Sequence, residues 1–385
     1  MKMKILKKIG KWFLIILVVL NLAIIISGKT YLYKGIANTY LKGRSGPSIE
    51  EFTIFENREV KAGAHQAWHK SSAYNTANIP AALVQKFDEM QTVAFVVIKN
   101  DSLIHEQYWD GYSEDSHSNS FSMAKTFVSI LIGAAIDDGK IKSVDQPVSD
   151  FLDSYKEGDN QKLTIKHLLT MSSGINFDED YVSPFAYPAQ AYYGSEIIEL
   201  TNQYKVIEEP GKKFKYLSGN SELLGMIIEK ATGKKLSEYM SEKLWQPIGA
   251  KNAAFWSLDH KDGMEKAYCC FNSNAPDFAR IGQVFLDTGK WNGNQLINQE
   301  YVLNSITPAD LVNDDDEAKN DKYGYAWWLI PNYRNHSIFY ARGILGQYIV
   351  CIPDKKLVVV RLGKKREKRS GNNHPEDVFY YIDAA

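Results

Sequence analysis

Strand-like runs stand at both ends of the folded part of this chain, with helical runs between them. That order constrains the architecture more than any single motif. Residues 93–99 and 103–109 are rich in β-branched and aromatic side chains, and Asn100-Asp101-Ser102 between them reads as a hairpin turn. The same composition returns at 323–329, 347–352 and 357–362, with Pro353-Asp354-Lys355 as a turn between the last two. Helices are expected over 81–90, from Ser122 to a stop at Gly139, and over 165–171 with Thr164 as its cap. Further helices are expected over 221–232 before Gly233, and over 236–244, 276–287 and 378–384. One sheet built from both ends of the chain, with helices inserted between, satisfies this order. The expected class is α+β: an antiparallel sheet flanked by helices, with an inserted all-helical domain.

The N-terminus adds a separate element. Lys2, Lys4, Lys7, Lys8 and Lys11 precede an apolar run over 12–26 that only Asn21 interrupts. A run of this length suits either a signal-peptide core or a membrane anchor. It ends in Ile24-Ile25-Ile26-Ser27-Gly28-Lys29, a poor cleavage site, which favours an uncleaved N-terminal transmembrane helix. The lysines then stay in the cytoplasm, and the rest of the chain faces the periplasm or the cell exterior of a bacterial inner membrane. Residues 1–29 form the expected cytoplasmic tip and anchor. Residues 30–79 form a stalk and lead-in, broken by the turn-rich Gly43-Arg44-Ser45-Gly46-Pro47-Ser48.

Net charge is −1 over 385 residues, which offers nothing to a nucleic acid. Cys269, Cys270 and Cys351 give no disulfide framework, and the adjacent pair is not expected to bridge. His65 and His69 have helical metal-ligand spacing but lack the glutamate of a zincin, and no metal or cofactor is expected. His105, His117 and His167 read as structural. The basic run from Lys364 to Arg369 reads most simply as a solvated loop, with phosphate or lipid contact as the minor alternative. Oligomeric state is not legible.

Ser122-Met123-Ala124-Lys125 opens an apolar helix and is the single Ser-x-x-Lys of the chain. About two such matches arise by chance in ordinary composition, so context decides. Residues at i and i+3 share a helical face, so the amine can reach the hydroxyl. A serine hydroxyl attacks only when a base takes its proton. The helix N-terminus favours developing negative charge, and burial lowers a lysine's pKa toward the neutral base. Tyr216-Leu217-Ser218 precedes a helix, where a tyrosine can relay protons. Ala341-Arg342-Gly343-Ile344 leads into the last strands, where glycine lets a substrate lie against backbone.

These three elements, in this order, resemble the serine β-lactamase and penicillin-binding superfamily, of which Ser-x-x-Lys is a signature. The closer likeness is to class C β-lactamase-related serine hydrolases, a group with esterases, DD-peptidases and 6-aminohexanoate-dimer hydrolases. Leu163–174, the run from Pro210 to Gly225, Asp277–282 and Gly346-Gln347 also resemble that group. The resemblance implies a β-lactamase/DD-peptidase-like fold over 80–385, with its sheet from about 80–120 and 320–385 and its helical part about 121–319.

By the same resemblance Ser122 is the acylated nucleophile, Lys125 its base and Tyr216 the proton-relaying tyrosine. Gly343 is the glycine of the strand motif. The oxyanion donors are the N–H groups of Ser122 and Ile344, the latter to within one residue of register. Tyr181 matches a substrate-contacting tyrosine of the nylon-oligomer branch. Two departures matter. Ser218 stands where the lactamases carry asparagine, as in the nylon-oligomer branch. Ala341 stands where a lysine or histidine usually meets a substrate carboxylate, and Arg342 is expected to point to the other face of its strand. The expected function is a serine hydrolase acting through an acyl-enzyme on a small ester, amide or peptide-like substrate. The alternatives are a β-lactamase or DD-peptidase, and a non-catalytic sensor or binding module.

Overall fold

A computed structural model describes residues 2–369 and 374–385. The first residue of the expected anchor and residues 370–373 of the expected hydrolase domain lie outside it. Helix α1 (Lys2–Ile26) is followed closely by α2 (Tyr31–Asn38), and α3 spans Ala81–Glu89. The central sheet uses β1 (His69–Lys70), β2 (Thr92–Lys99), β3 (Ser102–Tyr108), β4 (Trp328–Tyr333), β5 (His336–Gly343), β6 (Gln347–Ile352) and β7 (Leu357–Gly363). Helices α4 (Ala124–Asp137), α5 (Ser218–Thr232), α6 (Ala275–Leu286) and α7 (Asp377–Ala384) complete the elements that position the site.

The seven strands run in the order β4-β5-β6-β7-β2-β3-β1. Strand β7 from the C-terminal end pairs antiparallel with β2 from the N-terminal end, so both ends of the chain close one sheet. All neighbouring pairs are antiparallel except the short parallel pair of β1 with β3. The β2–β3 hairpin turns at Asn100 and Asp101, both at positive φ, as a two-residue turn between twisted strands requires. One face of the sheet carries α6 and, beyond it, α4. The other carries α3 and α7 through Phe87, Val378 and Tyr381. Helix α4 is apolar all round because it is buried all round: Phe127, Val128, Ile130, Leu131 and Ile132 have no exposed surface. Truncating Phe127 to alanine there would cost about 3–5 kcal/mol.

Three expectations are corrected. The middle of the chain is not all helical. Asn57–Val60, Ala254–Ser257, Phe271–Ser273 and Ser118–Asn119 form a second, four-stranded sheet, and its strands are too short to show a period. Residues 30–79 are woven into the domain rather than strung out as a stalk, with Ile49 and Val60 fully buried in its core. The strand expected over 323–329 begins at Trp328, because Ala326 adopts positive φ and breaks the extended run.

The cysteines also differ from expectation: Cys269 and Cys270 are joined in a disulfide, with Cys270 at positive φ. Cys351 is a buried thiol. Among the described residues, the helix from Met3 to Ile26 is long and apolar enough to cross a membrane, and none of it is buried against the domain.

Candidate active site

The segment entering α4 is held in an unusual backbone shape. Asn119 sits in the small sheet, and its side-chain carbonyl accepts the Phe121 N–H at 2.8 Å. Phe121 is fully packed yet has φ +46°, a conformation that bulky residues adopt only when the surroundings enforce it. A single 3₁₀ turn over Phe121–Met123 then leads into α4. Its first hydrogen bond runs from Met123 N–H to Ser120 O, so the Ser122 N–H precedes the helical ladder and is available to an acceptor.

Ser122 is half-buried at the mouth of a cleft, and Lys125 lies one turn on with about 1% of its surface exposed. Lys125 Nζ is 3.2 Å from Ser122 Oγ and donates to the Tyr268 carbonyl at 2.8 Å. The rings of Tyr216 and Tyr268 flank it, with centroids at 5.2 and 5.4 Å. Two aromatic faces and one carbonyl therefore fix the amine on the hydroxyl. Desolvation, followed by the Glu222 charge, raises the Tyr268 phenol pKa well above its ordinary value.

Tyr216 precedes α5, which starts at Ser218 rather than at the expected residue 221. Its ring packs on Trp328 at 5.5 Å and against Tyr323 at 6.1 Å. This places Tyr216 in the wall of the same cleft as Ser122. Ser218 is buried, and both its N–H and its hydroxyl donate to Glu179, at 2.6 and 2.5 Å. The Tyr181 hydroxyl donates to the same carboxylate at 2.6 Å and lies 3.5 Å from Ser218 Oγ. Glu179 thus caps α5, where a negative charge answers the helix dipole, and ties Tyr181 to Ser218. Desolvation, then the Glu179 charge, raises the Tyr181 pKa.

Strand β5 closes the opposite side. Gly343 has ordinary extended φ, and its need for glycine is spatial. A Cβ there would stand 2.2 Å from the Ser120 carbonyl oxygen. The missing side chain lets β5 lie directly against the turn that carries Ser122. Ile344 follows at the strand end, and Ser122, Tyr181 and Ile344 line both of two adjoining cavities, of about 170 and about 770 Å³. All seven residues expected at a site are thus in one neighbourhood.

Ala341 is buried in the core on the α4 side. Arg342 alternates to the opposite face, as strand geometry requires, with its guanidinium 3.4 Å above the Trp328 ring. It nonetheless lines the cleft with Ser122 and Tyr216, because the cleft wraps around the end of β5. The expected face is therefore the observed one, and it still brings Arg342 to the cleft. The run from Lys364 to Arg369 is an irregular loop with Lys365, Lys368 and Arg369 exposed, as expected, and Lys364, Arg366 and Arg369 also line that cleft. Sequence reasoning missed Glu179, Asn119 and Tyr268. Only the turn-rich loop around Glu179 hinted at a role for it, whereas Asn119 and Tyr268 act through local backbone geometry that carries no motif.

Such a constellation can deprotonate a hydroxyl, let it attack a carbonyl, and meet the resulting oxyanion with backbone N–H groups. Comparisons with known proteins bear on the family and the fold. A family model described as Beta-lactamase matches residues 80–379. The 6-aminohexanoate-dimer hydrolase of Paenarthrobacter ureafaciens is 27% identical over 297 residues, covering 73% of this chain and 74% of that protein. The putative penicillin-binding protein PbpX of Bacillus subtilis (strain 168) is 23% identical over 284 residues, 66% of each. Among solved structures, a putative 6-aminohexanoate-dimer hydrolase from Bacillus anthracis superposes with a TM-score of 0.73 at 24% identity. It covers 88% of this chain and 91% of its own. A family VIII carboxylesterase superposes with a TM-score of 0.64 at 16% identity, covering 83% and 98%. At these identities the structural likenesses speak for the fold alone.

Proposed function

This chain belongs to the Beta-lactamase family, and from that premise we propose that it is a serine hydrolase that cleaves an ester or amide through an acyl-enzyme on Ser122. The observation that carries the proposal is the 3.2 Å approach of the Lys125 amine to Ser122 Oγ at the mouth of a cleft. Lys125 takes the hydroxyl proton as Oγ attacks the substrate carbonyl carbon. The N–H groups of Ser122 and Ile344 receive the oxyanion. The carbonyl–leaving-group bond then breaks, and the leaving oxygen or nitrogen is protonated through Tyr216, which stands against Lys125. Water repeats the sequence on the acyl-Ser122 ester and releases the acid. Tyr181 and Ser218, tied together by Glu179, form the substrate-facing wall beside the nucleophile.

Residues 80–385 constitute the hydrolase domain in this reading, with 30–79 packed onto it. Helix α1 is an uncleaved anchor, and the lysines at its start hold that end in the cytoplasm. The catalytic domain then works on the periplasmic or extracellular face of a bacterial inner membrane. Ala341 and Ser218 favour esters and linear amides over β-lactams.

A fluorophosphonate probe tests the assignment. The full chain should be labelled at Ser122, and Ser122→Ala should abolish labelling. Equal labelling of the two proteins would overturn it.

A further inference from the structure

Two unlike compartments meet at Ser122. The smaller one is apolar, and one of its walls is α2, through Tyr31, Leu32 and Ile36, facing Val182, Pro188 and Tyr193. Helix α2 starts at Tyr31, while α1 ends at Ile26, so the wall of this compartment follows the apolar helix after a four-residue turn. It is docked firmly on the domain. The Tyr31 hydroxyl donates to Pro184 O at 3.0 Å, Lys34 Nζ lies 4.2 Å from the Phe55 ring centre, and Gly35 lets the helix backbone approach the Tyr193 ring. Of its lining residues, Val182 and Tyr40 expose 90% and 70% of their surface, and their sequence neighbours Leu41 and Phe185 expose 78% and 54%. A ring of exposed apolar side chains beside a membrane-length helix suits a lipid interface better than open water.

The larger compartment is basic. Arg342, Lys364, Arg366 and Arg369 line it. Lys364 is answered by Glu50 and Asp110, and the nearby Arg44 by Glu51. Among the described residues no ion pair involves Arg366 or Arg369. Arg342, Arg366 and Arg369 thus bring three like charges to one wall, and desolvation, followed by the charges of Arg342 and Arg366, lowers the Arg369 pKa. The carboxylate at the N-terminus of α5, Glu179 from the loop before it in sequence, is already occupied by Ser218 and Tyr181.

We propose that the substrate is a membrane-borne amphiphile, an ester whose apolar acyl chain lies against α2 and whose anionic leaving portion is held by Arg342, Arg366 and Arg369. This rests on the serine hydrolase reading above and adds the substrate class. The step balances as hydrolysis. The Ser122 Oγ–carbonyl bond forms, the ester C–O bond breaks, and the anionic alcohol departs with the proton passed on from Ser122. Water then releases the carboxylic acid. The Arg cluster thereby takes over the anion recognition for which Ala341 has no charge, from the other face of β5.

The test uses the full chain in phosphatidylcholine nanodiscs with five soluble probes: p-nitrophenyl acetate, p-nitrophenyl octanoate, 4-acetoxybenzoate, 4-(octanoyloxy)benzoate and the neutral methyl ester of the last. Each methylene buried is worth about fourfold. Octanoate should exceed acetate in kcat/KM by about tenfold or more, and the benzoate should exceed its methyl ester by about tenfold, equivalent to about 1.4 kcal/mol. Ile36→Asp should remove the chain-length ratio and keep the charge ratio. The double variant Arg366→Gln, Arg369→Gln should do the reverse. Flat ratios with Ser122 still labelled by fluorophosphonate would overturn the amphiphile assignment alone, whereas loss of Ser122 labelling would overturn the hydrolase reading itself. Equal turnover of 4-acetoxybenzoate and 4-(octanoyloxy)benzoate would mean a soluble anionic ester and would also overturn it.

Discussion

Gly343 lies so close to Ser120 that a Cβ on it would stand 2.2 Å from the Ser120 carbonyl oxygen. This contact sets β5 against the turn bearing Ser122 and fixes where Ile344 faces the nucleophile. Gly343→Ala must push the strand off that turn. We expect a folded protein with kcat/KM reduced about 10²-fold, the scale of a 1 Å misplacement. Steady-state kinetics with an unchanged far-UV spectrum check it, and wild-type kinetics from the variant would refute the positioning role.

Lys125 is buried between two tyrosine rings with its amine on Ser122 Oγ. Lys125→Met keeps the side-chain length and removes the base. Acylation by p-nitrophenyl acetate should fall about 10²–10⁴-fold, the range for a positioned general base. The KM-independent acylation rate from single-turnover kinetics is the readout, and a drop of less than about tenfold would assign the proton to another group.

Those elements that carry a hydrophobic period or a cap were legible in the sequence. Helix α4 announces itself by a dense apolar run from Phe127 to Ile136, broken only by Ser129 and Gly133. The short helix Ile165–Leu169 shows its Thr164 cap, which the structure completes as a capping box with His167. The pairing of β7 with β2 followed from strand-rich segments at both ends of the chain. The second sheet stayed hidden because strands of two to four residues have no period to read. At the site, Ser122, Lys125 and Tyr216 were readable because helix spacing and motif order bring them together. Alternation gave the strand face that Arg342 leaves, but not where the cleft runs, so its place in the cleft wall was not legible. Glu179 was missed because its link to Ser218 crosses 39 residues.

Glu179 accepts from Ser218 N, Ser218 Oγ and Tyr181 Oη. A carboxylate can accept all three, whereas an amide must turn an N–H₂ toward a donor. Glu179→Gln should lower stability by about 1–2 kcal/mol and reduce kcat/KM about tenfold. Tyr181→Phe, which leaves the Ser218 contacts intact, should keep the stability and show a smaller kinetic loss. Urea melts of both variants decide this, and an unchanged midpoint for Glu179→Gln would remove Glu179 from the capping role.

His374 is buried against Tyr340, with its Nδ1 2.7 Å from the phenol oxygen. Desolvation, then the Arg342 and Lys322 charges, push its pKa down to about 3. The unfolded chain binds this proton near pH 6.5, so its contribution to stability is complete above that pH. It is lost as pH falls from about 6.5 toward 3, by up to about 1.4 kcal/mol per pH unit. His374→Gln should flatten the decline of stability between pH 6 and about 4. Denaturant midpoints measured across that range for both proteins give the comparison, and parallel curves would contradict it.

The most direct measurement is peptide mass spectrometry on the full chain quenched during turnover of p-nitrophenyl acetate. An acetyl group should appear on the peptide containing Ser122, at a rate at least equal to turnover, and should be absent in Ser122→Ala. Turnover without an adduct on Ser122, or with the acetyl on a different residue, would contradict the acyl-enzyme.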